Sequence, residues 1–557
     1  MLDAKVSSFS RRKWMEGVTT PAAAATMGCV LSAVGSASEP NNTPEATLGA
    51  RVYNIRDYGA KGDGRTLDTA AVQKAVDACH KEKGGTVLVP SGDFVVGTVE
   101  LKSNVTLHLA ATGRLLGSGR GEDYVAGRGV PRDNGNIVLL YAVDAENITI
   151  EGRGTVDGHG NKFFTGRGDN TGPGEDPSLG YDKRPHLAVF YHCRNLLIRD
   201  TYFTRSAYHC LRFLECRYVR LDGVRIHNRV NFNNDGFHFD GSQYVNIANC
   251  NIACQDDACA LFGDCRFITV TNSTFSTRWS VFRFGNGSPE NVTVSNCLIY
   301  ETYGCPIKMH FGPDSRAQNL HFSNLILNDV TGPISINRSG GPSDASKAKG
   351  FVRKITFSNI QATVVTQGQG FADMAFEFPQ NYYRGETRQC IVVNGTGDGG
   401  VEDIAFHDVR VTYGGGGMME EAQREVPQVA GEYFEIGTPP AYGLYARNVR
   451  GLTLSNVRFD VVQPDLRPAV VLDHVTDCGM SGLSAMGNKE AKATLRFVET
   501  QDVLITAPRL LTPGAVFLRV EGDGSHGVTI DGGDITKATT AVAFGSGAGG
   551  ESVRVRG

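Results

Sequence analysis

Long apolar runs, basic runs and metal-type cysteine spacings are all scarce in this 557-residue chain. The mildly apolar stretch Val18–Val34 is short and interrupted by Thr and Pro, which argues against a permanent membrane span. Formal charge is close to balanced, at −4, and no cluster of Lys and Arg could track a phosphate backbone. Nucleic acid is thereby excluded, and a small neutral or acidic ligand is favoured. No two cysteines stand in CxxC spacing and no His/Cys pattern fits a zinc site, so neither metal nor other cofactor is expected. Asn-Gly hairpin signals between alternating runs are rare, which disfavours an antiparallel sandwich. Glycine is plentiful instead: 68 residues, about 12% against the usual ~7%. Such a chain turns often.

The N-terminus reads as an export leader. Ser10-Arg11-Arg12-Lys13-Trp14 resembles a twin-arginine motif, and Gly35-Ser36-Ala37 supplies small residues for cleavage. Residues 1–37 are the expected leader, 38–50 a polar linker and 51–557 one domain, exported to the periplasm or beyond the cell and acting as a monomer. Cys193, Cys216 and Cys265 share one slot of a repeat, and Cys250 and Cys297 share another. Folding before export takes place in a reducing compartment, so these thiols are expected to be buried packing groups rather than disulfides.

The repeat organises the chain. Segments such as YVRLDGVRI, YVNIANCNI and FITVTNSTF align on Leu196, Val219, Val245, Ile268, Val292, Leu320, Ile355, Ile404 and Leu452. Their separations are 23, 26, 23, 24, 28, 35, 49 and 48, the last two read as double turns or turns with insertions. Each unit alternates apolar and polar residues with period two, then ends in a polar turn. Units this short cannot bury an apolar face alone, but stacked coils can. The chain is therefore expected to be all-β, a right-handed parallel β-helix with like residues in interior ladders. Asn249, Asn272, Asn296, Asn324, Asn359 and Asn456, with Asp200 and Asp408, form one such ladder, whose amides bond along the axis. An amphipathic helix over 68–81, with Asp68 as N-cap and Gly84-Gly85 after it, caps the open end. The segment 414–441 is too rich in Gly, Pro and acid to be a coil and reads as a loop excursion beside the cleft. Residues around 527–535 read as further coils.

Residues 231–263 run NFNNDGFHFDGSQYVNIANCNIACQDDACALFG. Asp235 and Asp257 are 22 residues apart, one coil, so adjacent strands bring them within about 4.8 Å. Alternation sends Phe237, Phe239, Cys259 and Leu261 inward, and places Asp235, Asp257 and His238 on one exposed strand face. Carboxylates so close repel, and one should hold its proton near neutral pH, setting a general acid beside a general base. Solenoid turns also use Asp and Asn for closure alone, and spacing does not separate the two readings.

The NND…QDD pair resembles the NTD and DD motifs of glycoside hydrolase family 28, the polygalacturonase family. So do residues 52–79, GRGTVDGHG at 152–160, RPHLAVFYHCRNLLI at 184–198, and segments within 440–475. The resemblance covers most of residues 51–475. It implies a right-handed parallel β-helix that hydrolyses pectic or related acidic polysaccharide with inversion. Asp256 would protonate the leaving oxygen, Asp235 and Asp257 would hold the attacking water, and Asn233 would sit in the same motif. Stacked coils suggest carboxylates closer than the ~6.5–9.5 Å usual for inversion.

Two motif positions depart from the family. Where Gly-His-Gly is expected stands Trp279-Ser280-Val281, and where Arg-Ile-Lys is expected stands Pro306-Ile307-Lys308. Arg283, Lys308 and His310 are expected to rebuild an anion or hydroxyl site for substrate. Trp279, Phe282, Phe262, Tyr208 and His209 could stack on sugar rings; packing is the commoner role, with Phe262 the best candidate for substrate contact. A β-helix lyase acting on uronides, or a polysaccharide-binding solenoid without activity, remain alternatives to hydrolysis.

Overall fold

A computed structural model describes residues 51–131, 137–163, 184–285, 287–340, 349–367, 371, 373–374 and 385–556. The expected leader and linker lie outside these residues. Strands stack in parallel from Val52–Asn54 to Val553–Arg556, as a parallel β-helix. One parallel sheet of 15 strands runs from Val99–Glu100 to Ala538–Phe544 and carries the site. Among the described residues, 28 further strands form the remaining faces of the coils.

All nine aligned apolar positions are true register partners, each pairing with the next from Leu196 to Leu452. Register is this strict because slipping one residue would turn every buried side chain to solvent. The pairing Ile355↔Ile404↔Leu452 also shows that the two long spacings are single coils with excursions, not double turns. The stack continues through Cys478, Val503, Val528 and Val553, so the C-terminal residues are further coils. Inside, like residues do stack: Phe190, Phe213 and Phe239 lie 5.2 and 4.8 Å apart, nearly parallel. The twelve cysteines among the described residues are all buried and free.

The Asn ladder is not interior. Asn324 and Asn359 are exposed, although Asn324 Nδ2 donates to Asn296 Oδ1 at 3.0 Å and Asn359 Nδ2 to Asn324 Oδ1 at 2.9 Å. All eight positions have left-handed backbone, φ 50 to 59, which turns their side chains away from the core. Asn and Asp tolerate that conformation best among non-glycine residues. Asn324→Ala should lower the unfolding free energy in urea by about 1–2 kcal/mol, while Asn324→Gly, which relieves φ but also breaks the ladder, should cost less. A second left-handed column carries Tyr218, Tyr244 and Phe267 in three successive coils; there, rings stacked at 5.0 Å take the place of amides.

The capping helix spans Thr69–Lys81 and buries Ala71, Val72, Ala75, Val76 and Cys79 over the first coils. Asp68 precedes it without capping it; its carboxylate accepts instead from Lys61 N and Gly62 N at 2.7 and 2.9 Å. Gly84 and Gly85 follow at φ 121 and 148, where a Cβ would stand 2.6 Å from the carbonyl oxygens of Asn104 and Arg51. No helix among the described residues is long and apolar enough to cross a membrane.

Candidate active site

The strands Leu211–Leu214, Phe237–Asp240, Cys259–Phe262, Phe282–Gly285 and Ile307–Phe311 lie side by side in the 15-stranded sheet. Register puts Arg212, His238, Ala260, Arg283 and Lys308 in one outward column. Two residues further on, Asp240, Phe262, Gly285 and His310 form the next. Inward, Phe237, Phe239, Cys259, Leu261 and Phe282 are fully buried. Phe282 is therefore core and not a sugar platform. Tyr208 is equally buried, its ring beneath the Arg184 guanidinium at 4.5 Å.

The three carboxylates stand just ahead of their strands, at the turn, rather than on an exposed strand face. Asp235 and Asp257 are buried, at 4% and 7% exposure, and Asp256 is partly exposed. Adjacency across one coil holds: Gly236 N donates to Asp257 O at 2.9 Å. Asn234 makes this loop rigid. Its Oδ1 accepts from Val230 N and Asn231 N, and its Nδ2 donates to Ser206 O and Tyr208 O, at 2.7 to 3.0 Å. Both lone pairs and both N–H groups of that buried amide are thereby used.

Each carboxylate has its own support. Asn233, at φ 56, donates from Nδ2 to Asp256 Oδ2 at 3.3 Å and accepts from Arg184 Nη2 at 3.0 Å. Asp257 N donates to Asp256 Oδ1 at 2.9 Å. The Ser280 hydroxyl, on the next coil where the motif histidine is missing, hydrogen-bonds Asp257 Oδ1. His238 Nδ1 is hydrogen-bonded to Asp235 Oδ2 at 2.7 Å, and His209 Nε2 lies 3.8 Å from the same oxygen. The rings of His209, His238 and Phe262 stack in a column, at 4.6 and 5.2 Å. His209, Asp235 and His238 offer ligand atoms within 4.8 Å of one another. Two imidazoles stacked at 14°, however, present their in-plane lone pairs side by side and do not converge on one ion. The column suits fixing Asp235 better than holding a metal.

Burial, then the charges of Asp235 and Asp257, hold the Asp256 carboxyl well above the ordinary carboxylate range, with Lys308 opposing. Burial and then Asp257 raise Asp235 likewise, with Arg212 opposing. Such a cluster titrates as a unit, keeping a proton that one member alone would lose. A protonated carboxyl beside ionised ones can donate to a leaving oxygen while its neighbour draws a proton from water.

Arg283, Lys308 and His310 are brought together, but around a carboxylate that sequence reasoning missed. Glu432, on the 414–441 excursion, accepts from Lys308 Nζ at 2.7 Å and lies 4.0 Å from Arg283 Nη2 and 3.9 Å from His310 Nδ1. The excursion is thus a loop at this face. Phe262, half-buried, faces the Arg283 guanidinium at 5.5 Å, and Lys308 Nζ sits over the Trp279 ring at 4.5 Å.

The family model described as glycosyl hydrolases family 28 matches residues 79–373, more than half of the chain. The chain belongs to that family. An exo-poly-alpha-D-galacturonosidase of Dickeya chrysanthemi is 32% identical over 269 residues, 40% of this chain and 44% of that protein. The alignment thus spans less than half of that relative's length. Polygalacturonase-2 of Solanum lycopersicum is 25% identical over 368 residues, 63% of this chain and 77% of that protein. A family 28 exopolygalacturonase of Yersinia enterocolitica superposes with a TM-score of 0.56 at 19% identity, covering 77% of this chain and 78% of that one, a likeness of fold.

Proposed function

We propose that this family 28 glycoside hydrolase cleaves glycosidic bonds in a pectic or related galacturonate-containing polysaccharide with inversion of configuration. Asp256 serves as the general acid, and Asp235 with Asp257 orients and deprotonates the attacking water. The observation that carries this reading is the placement of three adjacent carboxylates at one turn, where burial and then neighbouring carboxylate charge raise Asp235 and Asp256. A polysaccharide chain fits a site laid across the coils, and family membership narrows the chemistry to glycosyl transfer to water. The twin-arginine-like leader supports export to the periplasm or beyond the cell, where such polymers are met, and the enzyme acts there as a monomer.

The test is incubation with polygalacturonate, rhamnogalacturonan and neutral pectic chains, followed by reducing-end assay and proton NMR of the first product. New reducing ends whose anomeric configuration is opposite to the bond cleaved are expected. Ultraviolet absorbance from an unsaturated product would show elimination instead and overturn hydrolysis; retained configuration would overturn inversion.

A further inference from the structure

The pocket beside Asp256 already contains an acid of the protein's own. Lys308 is 1% exposed, and its ammonium is committed to Glu432 at 2.7 Å. Glu432 heads the short helix Tyr433–Ile436: its carbonyl oxygen accepts from Glu435 N at 2.9 Å, and its own N–H donates to Glu435 Oε2 at 2.7 Å. With the backbone thus fixed, its side chain is free to reach across to the sheet. Arg283 spends Nη1 on the carbonyl oxygen of Phe284 at 2.6 Å and stands 4.0 Å from Glu432. His310 is held neutral near physiological pH by burial and by the neighbouring cations, and its buried Nε2 has no hydrogen-bond partner. A free uronate entering here would find the lysine taken. It would also lie against Glu432 and near Asp256, whose carboxyl feels the Lys308 charge, a like-charge contact in a poorly hydrated site. An uncharged ring would leave the Lys308–Glu432 pair intact and could donate its hydroxyls to the Glu432 carboxylate.

We propose that Glu432 is a built-in counter-ion of the Arg283–Lys308–His310 pocket, and that the sugar seated there is an uncharged pyranose, either a neutral sugar or an esterified uronate. This rests on the hydrolase reading above and specifies its substrate. The deciding experiment is calorimetric binding to the full chain carrying Asp256→Asn, with galacturonate oligomers, their methyl esters and neutral galactose oligomers as probes. An uncharged oligomer should bind at least about tenfold tighter than the free acid, an ordinary size for a charge contact. Which uncharged probe binds tighter identifies the source. Adding Glu432→Ala should free Lys308 and erase that preference, mainly by tighter binding of the free acid; Glu432→Gln, which keeps the contacts, should move the ratio the same way. Equal or tighter binding of the free acid with Glu432 present, a ratio unmoved by both variants, or no binding of any probe overturns the proposal. Failure of the hydrolase reading is a separate result: wild-type protein that cleaves none of the three while the binding ratio still shifts.

Discussion

Asp256→Asn should lower kcat by about 10²–10⁴-fold on any polysaccharide the enzyme cleaves, with little change in KM. The amide keeps the size of the carboxyl and one of its two contacts, since its single oxygen can accept from Asp257 N or from Asn233 Nδ2 but not from both, and it has no proton of suitable acidity to give. The same change should stabilise the fold. The folded Asp256 carboxyl is raised above its unfolded value, so between those two values the native state binds more protons than the unfolded chain. Stability therefore falls as pH rises through that window, and the deficit persists above it. Asparagine has no such deficit. At pH 7 the variant should gain on the order of 1 kcal/mol, a size common where an active-site strain is relieved, and the gain should shrink as pH is lowered toward the ordinary Asp range. Wild-type activity should fall on the alkaline side as the cluster loses its shared proton. A variant with more than a tenth of wild-type kcat would remove Asp256 as the acid. A variant less stable at pH 7 than at pH 4, relative to wild type, would show that the raised carboxyl is not where the structure puts it.

The stacked register was legible because two periodicities coincide: alternation within a strand and a coil length between strands. The nine positions from Leu196 to Leu452 could be aligned by eye, and they pair. The adjacency of Asp235 and Asp257 followed from the same count. Their burial did not, because it depends on His209, His238 and the Asn234 lock, contacts that spacing does not encode. Alternation could also have excluded Phe282 as a sugar contact, since it shares the inward register of Cys259. The outward face of the Asn ladder was hidden for a different reason. An alternating pattern says nothing of the left-handed residue at which the strand bends, though the Asn and Asp preference there is itself a signal. Glu432 left no periodic trace at all. It lies in an aperiodic excursion 124 residues from Lys308, and only the path of that loop brings the two together. The one available hint was chemical: acidic residues in a segment that reads as a loop beside the cleft.

Phe357→Ala should lower the unfolding free energy by about 3–5 kcal/mol while changing turnover little. Phe357 is fully buried, the middle ring of a column in which Phe322 and Phe406 lie 5.2 and 5.0 Å away at interplanar angles of 14° and 11°. Backbone pairing holds those three residues in register, so the coil cannot collapse onto the space left by the ring without breaking ladder hydrogen bonds. The loss is that of the buried surface plus a persistent cavity with a coil above and below it. In a solenoid each coil is stabilised chiefly by its two neighbours, so such damage stays local until the array unfolds. Asp235, Asp256 and Asp257 sit on earlier coils and reach Phe357 only through intervening strands, and kcat at 25 °C should change less than about threefold. Urea unfolding followed by circular dichroism, with turnover measured below the transition, separates the two effects. A loss under 1 kcal/mol would mean that the column relaxes freely and that stacked aromatic rings do not carry the stability of the coils. A large fall in kcat without unfolding would mean that the defect travels along the axis, through the strand Val401–Gly415 that bears Phe406 and leads into the loop holding Glu432.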